Sequence, residues 1–216
     1  MPADREQDLV LEGIVHDLNN VFQTILESVE VLAADEKWTS LARALRRSAS
    51  RGQRIVTGLH ESAPAVLELE AIVEDAVQFA SDVLRVLRIS GIEFDCDVEP
   101  GIRLPGPPTA WERVLFNLLI NAAQAMRSGG AIEIRGRRSA NHVEIMVEDN
   151  GPGIPPEILP RIFQARFSTR PAGSGLGLHI VKSIVRENGG TVTASNREGR
   201  PGACFQITVP MPPVRA

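Results

Sequence analysis

Two glycine clusters stand where a chain could receive an anionic group. Asp149-Asn150-Gly151-Pro152-Gly153-Ile154 follows a run ending in Val147-Glu148, and Gly173-Ser174-Gly175-Leu176-Gly177-Leu178 runs into a helical pattern about twenty residues later. Glycine lets backbone N–H groups approach phosphate oxygens closely, and a helix N-terminus adds a favourable field. Taken alone, a GxGxG pattern is equally a tight loop with no ligand. GxxxxGK[ST] does not occur, which excludes a P-loop site. Nor do the glycines follow a first βα unit with an acidic residue about twenty positions on, which argues against a dinucleotide fold. Near the other end, His16 is followed directly by Asp17. Neutral imidazole is a competent nucleophile near its ordinary pKa of roughly 6.5, and the adjacent carboxylate could take the proton from one ring nitrogen while the other attacks.

The elements that must position these residues are legible from periodicity. Residues 5–62 contain no proline, and apolar side chains recur at Leu11, Ile14, Leu18, Val21, Ile25, Val29 and Leu32, in steps of three or four. That is a heptad seam. Asp35-Glu36-Lys37 interrupts it, Thr39 or Ser40 can cap a second helix, and a second seam reads Leu41, Leu45, Ser48, Gly52, Ile55, Leu59. The spacing predicts an antiparallel hairpin over residues 1–62. A hairpin this short buries too little surface to stand alone, so pairing with a second copy into a four-helix bundle is expected; packing on the rest of its own chain is the alternative. With Leu11 at heptad position a and Ile14 at d, His16 falls at f, the most outward-facing position, with Asn20 one helical turn on.

Ser62-Ala63-Pro64-Ala65 reads as a linker, placed at 63–67, because proline blocks continuation of the helix. Beyond it, 68–216 predicts a second domain. Residues 67–86 read as a short strand and then a helix. Strands follow at 92–98, 131–138, 142–148, 191–195 and 203–209, with helices at 109–127 and 178–188. Such mixing predicts an α+β sandwich with helices on one face of a mostly antiparallel sheet.

Composition narrows the function classes. The 216 residues carry a net charge of −4, with 43% hydrophobic and 23% charged residues, so a globular chain is expected and a nucleic-acid backbone is not the expected partner. No apolar run approaches the roughly 20 residues of a membrane-spanning helix, and the polar, acidic start MPADREQDLV is unlike a signal peptide. Cys96 and Cys204 lie far apart and read as reduced, packed thiols; the four histidines are scattered. A cytoplasmic location and no direct membrane insertion are therefore expected.

Five motifs stand in order: HDLNN at 16–20, NLLINAAQA at 117–125, DNGPGI at 149–154, IFQARFSTR at 162–170 and GSGLGL at 173–178. Together they resemble the H, N, first glycine, F and second glycine boxes of sensor histidine kinases, and the tail IVKSIVRENGGTVTASN…GACFQITVP is similar to the end of their ATP-binding domain. The resemblance implies a dimerisation and phosphoacceptor hairpin followed by a Bergerat (GHKL) ATP-binding domain. It implies ATP and Mg²⁺ as cofactors, His16 as phosphoacceptor and Asp17 as its general base. Asp149 would accept from the adenine amino group, or cap the turn at Asn150-Gly151. Asn121 would ligate Mg²⁺ through oxygen, with Asn117 on the same helical face. Gln124, Gly151, Gly153, Arg170, Gly173, Gly175, Leu176 and Gly177 would surround the nucleotide, while Leu118, Leu119 and Ala122 belong to the core. Residues 155–172 would form a lid seated by Phe163 and Phe167, with Arg166 and Arg170 toward the phosphates. Asp17 and Asn20 also fit a D/ExxN pattern that orients water for dephosphorylating a partner. That partner would be a response-regulator receiver domain.

The chain departs from the pattern at three places. Gln124 stands where many relatives carry lysine, Ala203 follows Gly202 where threonine is usual, and no sensor segment precedes the hairpin. The last implies either a fragment or a signal arriving through a separate protein. Two other functions remain open. A GHKL ATPase would carry glutamate where this sequence has Asn117, and a docking scaffold with a degenerate ATP domain would be consistent with Gln124.

Overall fold

The structure is a computed structural model of the chain. It describes residues 18, 21–22, 24–26, 28–29, 32, 36–58, 68–126, 129–170 and 175–211. His16, Asp17, Asn20, Gly173 and the expected linker 63–67 lie outside the described residues.

The chain divides into two compact units, Met1–Ala65 and Val66–Ala216. In the first, the described positions between 18 and 32 are helical (α1), a short 3₁₀ turn spans Glu36–Trp38, and a second helix (α2) spans Thr39–Gly58. Val29, Ala42 and Ala49 are buried, whereas Leu18, Val21, Ile25 and Leu45 are exposed. Gly52 meets the Phe22 ring so closely that an added Cβ would lie 2.3 Å from it. Small residues thus make the close approach within this unit.

The second unit is a five-stranded sheet covered on one face by helices. Its elements are α3 (Leu69–Val86), β1 (Ile92–Val98), α4 (Pro108–Ala125), β2 (Gly130–Ser139), β3 (His142–Asp149), α5 (Gly177–Glu187), β4 (Thr191–Asn196) and β5 (Ala203–Pro210). The strands lie in the order β1-β2-β3-β5-β4. The sheet is mixed: β1 runs parallel to β2, and the other three pairs are antiparallel. The strand expected before the first helix of this domain is a single bridge, Glu68 to Arg103, with α3 beginning at Leu69.

Strand alternation builds the core. Ile132 and Ile134 of β2, Val143, Ile145 and Val147 of β3, and Phe205, Ile207 and Val209 of β5 are buried on the helix side. Register brings Ile134, Val147 and Phe205 side by side. Against this row α4 packs Trp111, Leu115, Leu118, Leu119 and Ala122, all buried, while the Trp111 indole N–H donates to the Pro105 carbonyl at 2.6 Å. Pro108 starts α4 where its missing N–H costs nothing. Cys204 is buried as expected, but Cys96 is exposed.

Candidate functional site

The alternation that builds the core also delivers a carboxylate into it. Val143, Ile145 and Val147 point to the helices, and the next residue of the same parity is Asp149, only 4% exposed. A carboxylate in an apolar row is costly unless it is bonded. Here the Gly151 N–H donates to Oδ1 at 2.9 Å and the Ala203 N–H at 3.2 Å. Burial pushes the carboxyl above its ordinary pKa, and those two bonds and the Arg197 guanidinium offset only part of the rise. Asp149 therefore caps the turn at Asn150-Gly151.

The turn is held from both sides. Asn150 Oδ1 accepts the Ala131 N–H at 2.9 Å, tying the turn to β2. Past Gly153, Asn196 at the end of β4 accepts the Ile154 N–H at 2.6 Å and donates to the Ile154 carbonyl at 2.8 Å. Gly202, at φ +127°, lies so close to the Asp149 carbonyl that a Cβ would fall 1.8 Å from its oxygen. Only glycine fits there.

A second group is built on α4. Asn117, Asn121 and Gln124 follow at steps of four and three, so they form one stripe opposite the buried apolar face. Asn117 donates from Nδ2 to the Arg113 carbonyl at 2.7 Å, which leaves Oδ1 for the cleft. Gly177, the first residue of α5, lies beside this oxygen: a Cβ at 177 would fall 2.9 Å from Asn117 Oδ1 and 3.7 Å from Asn121 Nδ2. The amino end of α5 thus meets two side-chain amides, and hydrogen at position 177 leaves the space between them open.

The lid residues divide. Phe163 packs edge-on to Phe205 at 6.4 Å between ring centroids, and its carbonyl lies 3.3 Å from His179 Nδ1. Phe167 stacks under the Arg161 guanidinium at 4.7 Å. Arg166 is exposed in a left-handed conformation, φ 62°, with Gly175 against its main chain. Arg170 turns inward to α4, donating to the Gln124 side-chain oxygen and to the Asn121 carbonyl at 3.1 Å. Leu176 caps the start of α5 and is exposed.

The structure therefore brings Asn117, Asn121, Gln124, Arg170 and Gly177 together, and puts Asp149, Gly151 and Gly153 on one turn. These groups fit an adenine nucleotide: a buried carboxylate to read an amino group, and, at the other group, N–H-bearing glycine backbone with a guanidinium for anionic oxygens. Amide oxygens on α4 are the hard donors Mg²⁺ takes. Sequence reasoning missed Arg197 and Asn196. Arg197, its side chain 2% exposed, donates to the Asp149 carbonyl at 3.1 Å and to Glu133 at 2.6 Å, with Glu148 at 3.6 Å. It sits in the charged run Arg197-Glu198-Gly199-Arg200, where nothing in the sequence separates a buried arginine from a solvated one.

Residues 106–213, half of the chain, match the family described as histidine kinase-, DNA gyrase B-, and HSP90-like ATPase. The sensor histidine kinase ZraS of Escherichia coli K12 is 31% identical over 210 residues, which cover 92% of this chain and 44% of ZraS. The chain thus spans less than half the length of this curated relative. Among solved structures, the mycobacterial sensor histidine kinase MprB superposes with a TM-score of 0.60 at 31% identity, over 70% of this chain and all of that one. Full-length ShkA in complex with AMPPNP, at 24% identity and a TM-score of 0.60, shares the fold over 95% of this chain and 46% of its own.

Proposed function

The chain belongs to the sensor histidine kinases, as a transmitter core with a GHKL-type ATP-binding domain, and from that premise we propose that it binds ATP with Mg²⁺, phosphorylates its own His16 and passes the phosphoryl group to an aspartate of a response-regulator receiver domain. The observation that carries the reading is the meeting of Asn117 and Asn121 with the amino end of α5 at Gly177, beside the inward-turned Arg170. Amide oxygens, helix N–H groups and one guanidinium are what a metal-bound polyphosphate requires.

ATP supplies the γ-phosphoryl group as electrophile. Asp149 accepts the adenine amino N–H, its own orientation fixed by the Gly151 and Ala203 N–H groups. Asn121 offers an oxygen to Mg²⁺ and Asn117 supports it, while Arg170, with the donors at Gly173, Gly175 and Gly177, balances phosphate charge. One ring nitrogen of His16 forms the new bond to phosphorus as the bond to the β-phosphate oxygen breaks, and Asp17 takes the proton from the other ring nitrogen. In-line positioning and charge neutralisation provide most of the acceleration. Asn20 orients the water that dephosphorylates the partner, and an Asn20→Ala chain with an unchanged phosphatase rate would remove that role.

The protein works as a homodimer in the cytoplasm. Leu18, Val21, Ile25 and Leu45 form an exposed apolar set that a second hairpin covers. Among the described residues, no helix is long and apolar enough to cross a membrane. The division at Ala65/Val66 supports a hairpin domain at 1–62, a linker at 63–67 and an ATP-binding domain at 68–216.

Incubation with γ-labelled ATP and Mg²⁺ tests the proposal. Acid-labile, base-stable label is expected on the chain and absent from His16→Gln. An unlabelled chain, or equal label on His16→Gln, overturns it.

A further inference from the structure

Gln124 occupies the last turn of α4, three residues after Asn121, and its side-chain oxygen receives an N–H of Arg170. The other arm of the same guanidinium donates to the Asn121 carbonyl at 3.1 Å. The planar fork therefore meets two acceptors on successive positions of one helical stripe, at the end of the helix where the macrodipole is negative. The approach is fixed from the lid as well. Ser168 Oγ accepts the Arg170 N–H and donates to the Arg170 carbonyl, both at 3.0 Å, so the backbone carrying the arginine is closed into a local turn. The side chain of Asn121, meanwhile, faces the amino end of α5.

We infer that Gln124 is a positioning residue: it seats the lid's Arg170 so that the guanidinium provides the fixed positive charge beside the polyphosphate, and it does not itself bind phosphate. This rests on the ATP-binding reading above. The role needs a neutral acceptor at 124. A cation there has no oxygen to offer and would stand against the guanidinium at hydrogen-bond distance, so it displaces the arginine and does not add to it. One site accommodates one cation, supplied from 170.

The test is a charge transfer between the two positions in the full chain. Binding of a non-hydrolysable ATP analogue with Mg²⁺, and of adenosine, is measured by calorimetry. Gln124→Lys and Arg170→Gln are each expected to weaken the analogue about 10-fold, the scale of one charge-assisted contact. Adenosine binding stays unchanged in both, which a general loss of structure would not allow. The double variant Gln124→Lys/Arg170→Gln, with the cation now at 124 and the acceptor at 170, is expected to recover to within about 3-fold of wild type, since the contact is remade with its ends exchanged. Should Gln124→Lys fold poorly, Gln124→Met removes the acceptor without adding charge and is expected to show the same split between analogue and adenosine. Wild-type affinity in Gln124→Lys, or a double variant no better than the weaker single, overturns the inference and leaves ATP binding standing. A wild-type chain that binds neither compound overturns the ATP-binding reading, and this inference with it.

Discussion

Replacing Arg197 by methionine probes what holds the Asp149 turn. The substitution keeps a long apolar stem in a site where the side chain is 2% exposed and removes every charge-bearing contact. The Asp149 carbonyl loses a donor at 3.1 Å, and Glu133 and Glu148, only 18% and 10% exposed, lose the cation between them. An orphaned acceptor costs about 1–3 kcal/mol, and breaking a buried pair about 3–5 kcal/mol. Three facts reduce the sum. Glu148 is at 3.6 Å, too far for a hydrogen bond, Arg197 Nε has no hydrogen-bond partner in the first place, and Arg200 stands 3.8 Å from Glu133 and 3.7 Å from Glu148, ready to take over part of the charge. The net expectation is about 2–4 kcal/mol, which for a domain of this size lowers the thermal midpoint by about 5–15 °C. Circular dichroism melts of the full chain read it directly. The acid side gives a second reading. The hydrogen bond from Arg197 holds the Glu133 carboxyl below its ordinary pKa, so its contribution is present above the unfolded value and lost as pH falls through the folded one. The gap between wild type and variant should therefore narrow on acidification. A midpoint shift below about 2 °C, or a gap that does not move with pH, would refute the account.

Three further outcomes are expected. Because burial raises the Asp149 pKa and adenine recognition needs the ionised form, nucleotide affinity should fall on acidification from a higher pH than for an ordinary aspartate; folding stability moves oppositely, since Asp149 favours the folded state at low pH and loses that contribution as pH rises through its folded value. Asp149→Asn should abolish both trends, read by calorimetry and by melts across pH. Gly202→Ala should cost about 3 kcal/mol or more in urea denaturation, because an L-residue at φ +127° is strained and its Cβ overlaps the Asp149 carbonyl. Val21→Glu should shift the chain toward monomer in sedimentation, as its side chain is 54% exposed on the hairpin's open apolar face; an unchanged dimer places the interface elsewhere.

The ATP-binding domain was legible in the sequence to an unusual degree, for physical reasons. Strand parity is a local signal, so β2, β3 and β5 could be read within a residue or two, and the 3.6-residue period of α4 put Leu118, Leu119 and Ala122 in the core. Glycine-rich loops announce themselves because few other residues tolerate their geometry. What could not be read depends on contacts far apart in the chain. The first two strands pair in parallel, a choice made by tertiary packing, and the strand expected ahead of α3 shrinks to one bridge. Arg197 acquires its role only because β4 ends beside Glu133 and Asp149, 64 and 48 residues away. Gln124 stood out in the sequence only as a departure from lysine, because its partner, Arg170, is 46 residues distant. In the hairpin, which residues make the close approach is likewise a matter of packing: Ala42 and Ala49 are buried and Gly52 lies against the Phe22 ring, while Leu18, Val21, Ile25 and Leu45 are exposed.

A site that holds ATP for transfer must avoid spending it on water, and the α4 stripe bears on how. Asn117, Asn121 and Gln124 present amides, none of which can take a proton from water at neutral pH. Asn117 is fixed further: its nitrogen is tied to the Arg113 carbonyl, so the oxygen faces the amino end of α5 and can accept but not act as a base. A glutamate at 117 would place a general base at the same position, the arrangement a hydrolase needs. Without it, the site can orient and neutralise a polyphosphate and still lack the group that activates water. On the proposed mechanism the transfer step takes its base from elsewhere in the sequence, at Asp17 next to the acceptor His16. Charge stabilisation and proton removal then belong to different domains. A site with oriented donors and no base of its own is therefore suited to holding a polyphosphate without hydrolysing it.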